Sequence, residues 1–180
     1  MHQKFWGMLP VAHAFAFLRF VKGGTVQELL HQLKYKGKQE VGEMLGLMYG
    51  NQLYQEGFAG KFDLVLPVPL HPDKQLKRGY NQCDSIAKGL AQGLQTAWQP
   101  NVLVRQRFNQ TQTKKNREQR WQNVEDIFVV QQPQPIAGKN ILLVDDVITT
   151  GATISACGQA VLQAGCQSLS IASLAIVQEF

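Results

Sequence analysis

Two adjacent carboxylates, Asp145 and Asp146, followed by Thr149, Thr150, Gly151, Ala152 and Thr153, form the stretch of this chain best equipped for chemistry. Burying unpaired charge is costly, so neighbouring carboxylates are expected to face a ligand, a metal ion or water. Each can accept hydrogen bonds from a vicinal diol such as the hydroxyls of a ribose. The three threonines offer hydroxyl donors, and Gly151 lets backbone approach a phosphate closely. The order along the chain is therefore diol readers first, phosphate cradle second. Other readings of the stretch stay open. It could be a Walker B element or a receiver-type acidic pocket holding magnesium, or a structural turn in which Thr149 or Thr150 caps a helix. No Gly-x-x-x-x-Gly-Lys-Ser/Thr element occurs in the sequence, so a P-loop nucleotidase would lack its phosphate cradle.

The elements that must position these residues can be read on either side of them. Ile141 to Val144 has the length and composition of a strand buried on both faces, as in a parallel sheet. Beyond Gly151, residues Ala152, Ile154, Ala156, Cys157, Ala160, Val161 and Ala164 recur near a helical period, predicting strand, loop, helix. In open α/β sheets ligands bind beyond the carboxyl ends of strands, where a helix N-terminus offers unpaired N–H groups and a positive dipole end.

Two basic segments could complete such a site. Phe62 to Pro69 reads as a central strand ended by prolines, and Leu70 to Gly79 as a loop carrying His71, Lys74, Lys77 and Arg78. Cations at the end of a neighbouring strand would suit a pyrophosphate; a solvated basic loop is the plainer alternative, and His71 reads as a loop or capping residue. A helix with Ile86, Ala87, Leu90, Ala91 and Leu94 on one side follows. Val102 to Val104 is a short strand candidate feeding a stretch with Arg105, Arg107, Lys114, Lys115 and Arg117 and few aliphatics, which predicts a mobile loop or exposed helix. With Phe108 and Trp121 nearby, it suits either a lid over a polyanion or a surface for single-stranded nucleic acid. Ile127 to Val130 is expected as a flanking strand, residues 131–135 as a turn, and Ser168 to Val177 as a last strand or hood segment.

At the N-terminal end, Val11 to Val21 reads as a strand stopped by Gly23-Gly24. Thr25 and Glu28 are spaced as a capping box for a helix bearing Val26, Leu29, Leu30 and Leu33. Lys34, Lys36 and Lys38 are expected in a solvated turn, with a ligand contact as the alternative, and Val41, Met44, Leu45 and Met48 as the core stripe of a second helix.

A chain of 180 residues suits one well-buried domain, and its formal net charge of +5 favours anionic ligands without choosing between metabolites and nucleic acid. Three cysteines, Cys83, Cys157 and Cys166, with no Cys-x-x-Cys, predict reduced thiols, no zinc site and a cytoplasmic protein. The apolar run Met8 to Phe20 is too short and too interrupted, by His13 and Arg19, to span a bilayer.

Val144-Asp-Asp-Val-Ile-Thr-Thr-Gly-Ala-Thr153 resembles the phosphoribosyl pyrophosphate (PRPP) signature of type I phosphoribosyltransferases. His13-Ala-Phe-Ala, Leu33-Lys34-Tyr35, Pro67-Val-Pro69-Leu-His71, Arg78-Gly-Tyr-Asn-Gln82, the Arg105 and Gln112 region, and Arg120 with Asn123 extend the likeness to the competence protein F (ComF) branch, over residues 12–176. The resemblance implies an α/β fold with a central, mostly parallel sheet flanked by helices, a small hood and a flexible loop. Residues 1–60 would supply the hood strand and helices, and residues 61–180 the PRPP-binding core of a single domain. By that likeness Asp145 and Asp146 meet the ribose hydroxyls as catalytic residues, and Mg²⁺ mostly through PRPP or water. Thr149, Thr150, Gly151, Ala152 and Thr153 wrap the 5′-phosphate. Arg78 and Gly79 lie on the pyrophosphate side, and Arg105, Arg107, Lys114, Lys115 and Arg117 belong to the flexible loop. The implied function is Mg²⁺-dependent transfer of ribose 5-phosphate from PRPP to an acceptor the sequence does not name. The alternative is a module that binds single-stranded DNA or DNA-processing proteins. Relatives in this branch often carry a four-cysteine zinc module; its cysteines are not among these residues, and no function resting on it is expected of them.

Overall fold

The computed structural model describes residues 9–106 and 127–177. In chain order these form β1 (Ala14–Phe20), α1 (Thr25–Tyr35), α2 (Gln39–Leu53), a π-helical turn (Tyr54–Phe58), β2 (Leu64–Pro67), α3 (Pro72–Arg78), α4 (Gln82–Leu94), β3 (Ala97–Trp98), β4 (Leu103–Gln106), β5 (Ile127–Val130), β6 (Asn140–Ile148), α5 (Ala152–Gln163) and β7 (Ser168–Val177). Five strands make a parallel sheet in the order β1-β7-β6-β2-β3, and β4 and β5 pair antiparallel as a separate ribbon.

Continuous aliphatic runs become strands here because both faces of the sheet are covered. Leu64, Leu66, Ile141 and Leu143 pack on one side with Ile154, Cys157 and Val161 of α5 and with Leu103 of β4. Val65, Leu142 and Val144 pack on the other with Leu30 and Leu33 of α1, Tyr49 and Leu53 of α2, and Ile86 and Leu90 of α4. From β2 the chain passes through α4 to β3 at one edge; from β6 it passes through α5 to β7, in the opposite direction. The winding therefore reverses between the neighbouring strands β2 and β6, and a crevice opens beyond their carboxyl ends.

Several expectations need correction. The capping box does not form: Gly24 is the N-cap of α1 and Thr25 lies inside the helix, while the Gly23 N–H donates to Gln27 Oε1 at 2.7 Å. Met44 and Met48 are exposed, not core. The buried face of α2 is Gly42, Gly46, Tyr49, Gly50 and Leu53, because the helix lies against α4 too closely for side chains between them. A Cβ on Gly46 would run into the Ile86 carbonyl oxygen and stand 2.9 Å from the Leu90 nitrogen. The segment 70–79 is mostly helical as α3, whose Pro72 occupies the first turn and whose left-handed Gly79 (φ 82°) ends it. His71 caps this helix, its Nδ1 accepting from the Asp73 N–H at 3.2 Å.

Candidate functional site

Strand β6 does not stop before its carboxylates but runs through them to Ile148. Side chains alternate along a strand, so Asp145 shares a face with Ile141 and Leu143, and Asp146 with Leu142 and Val144. Strand β2 pairs with β6 only as far as Pro67 opposite Val144, and the Val68 N–H then closes onto the Val144 carbonyl at 2.8 Å. Both carboxylates thus emerge where the β2 ladder has ended, while β7 still supports them, with Asp145 opposite Ser173.

Asp146 is buried and held by three donors. Its Oδ2 lies 2.7 Å from Lys34 Nζ and accepts from Gln82 Nε2 at 3.0 Å, and its Oδ1 accepts from the Val147 N–H at 2.7 Å. Asp145 Oδ1 accepts from the Asp146 N–H at 2.8 Å and from the Cys83 thiol at 3.6 Å. Burial, and then the Asp146 charge beside it, push the Asp145 carboxyl up. Burial pulls the Lys34 ammonium down, but the charge and hydrogen bond of Asp146 outweigh it and the net shift is upward. Burial, Asp145 and Asp146 all push the Cys83 thiol up, so it stays protonated.

The network continues from Gln82, whose Oε1 accepts from Arg78 Nη1, and the Arg78 guanidinium lies over the Tyr35 ring, 5.5 Å from its centroid. Tyr80 OH donates to the Leu33 carbonyl, tying the start of α4 to the end of α1. These contacts line a cavity of about 500 Å³ that Asp145 and Asp146 share with Lys34, Lys74, Lys77, Arg78 and Arg105.

Of the residues singled out in the sequence, Asp145, Asp146, Thr153, Arg78 and Arg105 share this cavity. Gly79 lines a neighbouring hollow of about 520 Å³ that shares Pro69, Leu70, Asn81 and Arg105 with this cavity. Thr149, Thr150, Gly151 and Ala152 form the turn from β6 into α5. Gly151, at φ 86°, is the N-cap, and Thr150 Oγ1 accepts from the Ala152 N–H at 3.3 Å, so neither threonine takes the N-cap position itself. Arg107, Lys114, Lys115 and Arg117 lie outside the described residues. Arg105, at the start of that basic stretch, stacks on Phe128 at 5.4 Å.

Sequence reasoning quoted Lys34 and Gln82 within longer motifs but gave neither a role beside the carboxylates. Lys36 and Lys38 are exposed as expected of a solvated turn, but Lys34 belongs to the last turn of α1 beside the fully buried Leu33. That adjacency was the available signal. Gln82 opens α4 and is buried, and a buried amide next to an apolar helix face needs polar partners.

The fold is thus a parallel sheet covered on both faces, with a cavity at the strand ends lined by two carboxylates and several cations. The chain belongs to the phosphoribosyl transferase domain family, whose profile matches residues 76–178. Relatives named DNA utilization protein and competence protein F support the ComF branch of the type I phosphoribosyltransferase family. DNA utilization protein YhgH of Salmonella typhi is 30% identical over 79% of this chain and 63% of its own length. Competence protein F of Haemophilus influenzae is 30% identical over 63% of this chain and 50% of its own. The chain thus spans less than two thirds of the length of these relatives. Among solved structures, a hypothetical protein from Neisseria gonorrhoeae with bound ppGpp shares the fold at 15% identity and a TM-score of 0.50, over 78% of this chain and 69% of that one. Among the described residues no helix is long and apolar enough to cross a membrane.

Proposed function

We propose that the chain binds PRPP with Mg²⁺ in the crevice beyond β2 and β6 and transfers its ribose 5-phosphate to an acceptor, releasing pyrophosphate. The observation that carries this reading is one cavity lined by two carboxylates and five cations, of which Lys34 is paired with Asp146. A diol with an anionic group at each end, such as PRPP, needs both: carboxylates to accept from the ribose hydroxyls, and positive charge for the phosphates.

In the reaction the C1–oxygen bond to pyrophosphate breaks, both electrons leave with the pyrophosphate, and the acceptor's lone pair forms the new bond at C1. Positive charge grows on the ribose ring on the way. The protein's contribution is positioning, neutralisation of the leaving group and exclusion of water. Asp146 is oriented by Gln82 and by the Val147 N–H, so it can present a fixed carboxylate edge to a ribose hydroxyl. The turn at Thr149 to Thr153 leads into the N-terminus of α5, whose positive dipole end would face the 5′-phosphate. Lys74, Lys77, Arg78 and Arg105 supply the positive charge against which the pyrophosphate departs.

Magnesium suits the oxygen atoms here. Carboxylate oxygens are hard ligands, whereas the Cys83 thiol beside them is soft and held protonated. An oxygen of each aspartate is already bonded to backbone, which favours an ion held by Asp145 and Asp146 largely through donor oxygens and water. When bound, the ion would offset pyrophosphate charge.

A screen of pyrophosphate release from PRPP and Mg²⁺ across nucleobases, amines and ammonia tests transfer. Release with at least one acceptor, lost in Asp145→Asn, is expected; no release with any of them would remove the transfer step.

A further inference from the structure

Lys34 is a cation of this cavity that is already tied to one of its carboxylates. It reaches Asp146 from the last turn of α1, with Nζ 2.7 Å from Oδ2 and its side chain about a quarter exposed. The residues that follow it, Tyr35 and Gly37, rim the same cavity. Oδ2 also accepts from Gln82, and Oδ1 is bonded to the Val147 N–H. Withdrawing Lys34 would therefore leave Asp146 oriented but no longer neutralised. Gln82 is itself held by Arg78 of α3, so the orienting bond does not pass through Lys34.

The electrostatics then favour an exchange. Adjacent carboxylates need compensating charge in a partly buried site, and the Lys34 ammonium supplies it to Asp146. A divalent cation arriving at the same carboxylates supplies twice that charge and repels an ammonium a few ångströms away. Lysine is suited to moving because its compact charge rides on a flexible four-carbon stem. Lys74, Lys77 and Arg78 mark the direction in which a polyphosphate would lie, across the same cavity.

We infer that Lys34 is a displaceable counterion, neutralising Asp146 until a divalent cation takes that role and then passing to the pyrophosphate group of the donor. This deepens the PRPP reading and rests on it. It makes Lys34 a positioning residue for Asp146 before the donor binds, and a donor contact afterwards. It also couples the end of α1 to ligand arrival.

Two opposed effects distinguish this role from a structural one. In the full chain, Lys34→Gln is expected to bind Mn²⁺ alone, followed by its electron paramagnetic resonance signal, roughly three- to tenfold more tightly because a competing cation is gone. The same variant is expected to bind PRPP with Mg²⁺, measured by calorimetry, about tenfold or more weakly because a charged contact is lost. Lys34→Arg should reverse both changes. Weakening of both ligands, or no change in either, overturns the inference while leaving the PRPP reading intact. A wild-type protein that binds neither PRPP nor pyrophosphate overturns the donor reading and, with it, the passage of Lys34 to the pyrophosphate. Against misfolding of the Gln variant, the wild type can be carbon-13 methylated on its lysines, which preserves their charge. The Lys34 signal should shift with Mg²⁺ and again with PRPP; a signal indifferent to both overturns the exchange.

Discussion

Asp84 shows how a single residue reports the cost of the site's construction. It lies in the first turn of α4 and accepts from Asn81 Nδ2 at 3.0 Å, yet burial outweighs that bond and pushes its carboxyl up to about 6. A folded-state value above the unfolded one means that the folded chain binds the extra proton, so the group's contribution to stability falls as pH rises from about 4 to about 6. Asp84→Asn should therefore raise stability by about 1 kcal/mol above pH 6, after discounting for partial exposure and for the lost attraction to the helix N-terminus. The gain should shrink towards pH 4. Chemical denaturation of both proteins across that range checks it, and a gain independent of pH would contradict the assignment. The legible residues were those whose types declare chemistry in any setting, Asp145 and Asp146 above all. Lys34 was not, because its partner lies more than a hundred positions along the chain and only the end of α1 brings the two together.

Among the elements, α2 departs most from its sequence reading. Hydrophobic periodicity pointed to Met44 and Met48 as core, but the contact with α4 is built from glycines on both helices. Gly42, Gly46 and Gly50 recur every four residues, and Gly89 and Gly93 answer them on α4. A Cβ on Gly89 would strike the Glu43 carbonyl oxygen, and one on Gly93 would stand 2.6 Å from the Asn51 nitrogen. That spacing was visible in the sequence; apolar periodicity outweighed it because glycine carries no side chain for a stripe to count. Gly46→Ala is predicted to destabilise by about 3 kcal/mol, since backbone on the facing helix must move. Met44→Gln, on the exposed face, should change stability by less than about 0.5 kcal/mol. Equal thermal shifts for the two variants would refute this account of the packing. The end of β6 was misplaced for a different reason: two charged residues look like a strand terminus, but a neighbouring strand that stops early lets them remain in extended backbone and still reach a ligand.

For the molecule as a whole, alternating strand and helix signals with continuously apolar strands were enough to indicate a parallel sheet covered on both faces. The strand order was not legible, because it depends on which strands become neighbours after the crossovers. That order puts β2 beside β6 and so brings the basic helix α3 against Asp145 and Asp146, residues remote from it in sequence. The central claim is that this junction binds PRPP through its carboxylates. Calorimetric titration of PRPP with Mg²⁺ into the wild type and into Asp145→Asn/Asp146→Asn tests it most directly. The account predicts saturable binding to the wild type that weakens at least about a hundredfold in the double variant, as loss of charged hydrogen bonds at two positions implies. Equal affinity in the two proteins, or no binding to the wild type, would contradict it.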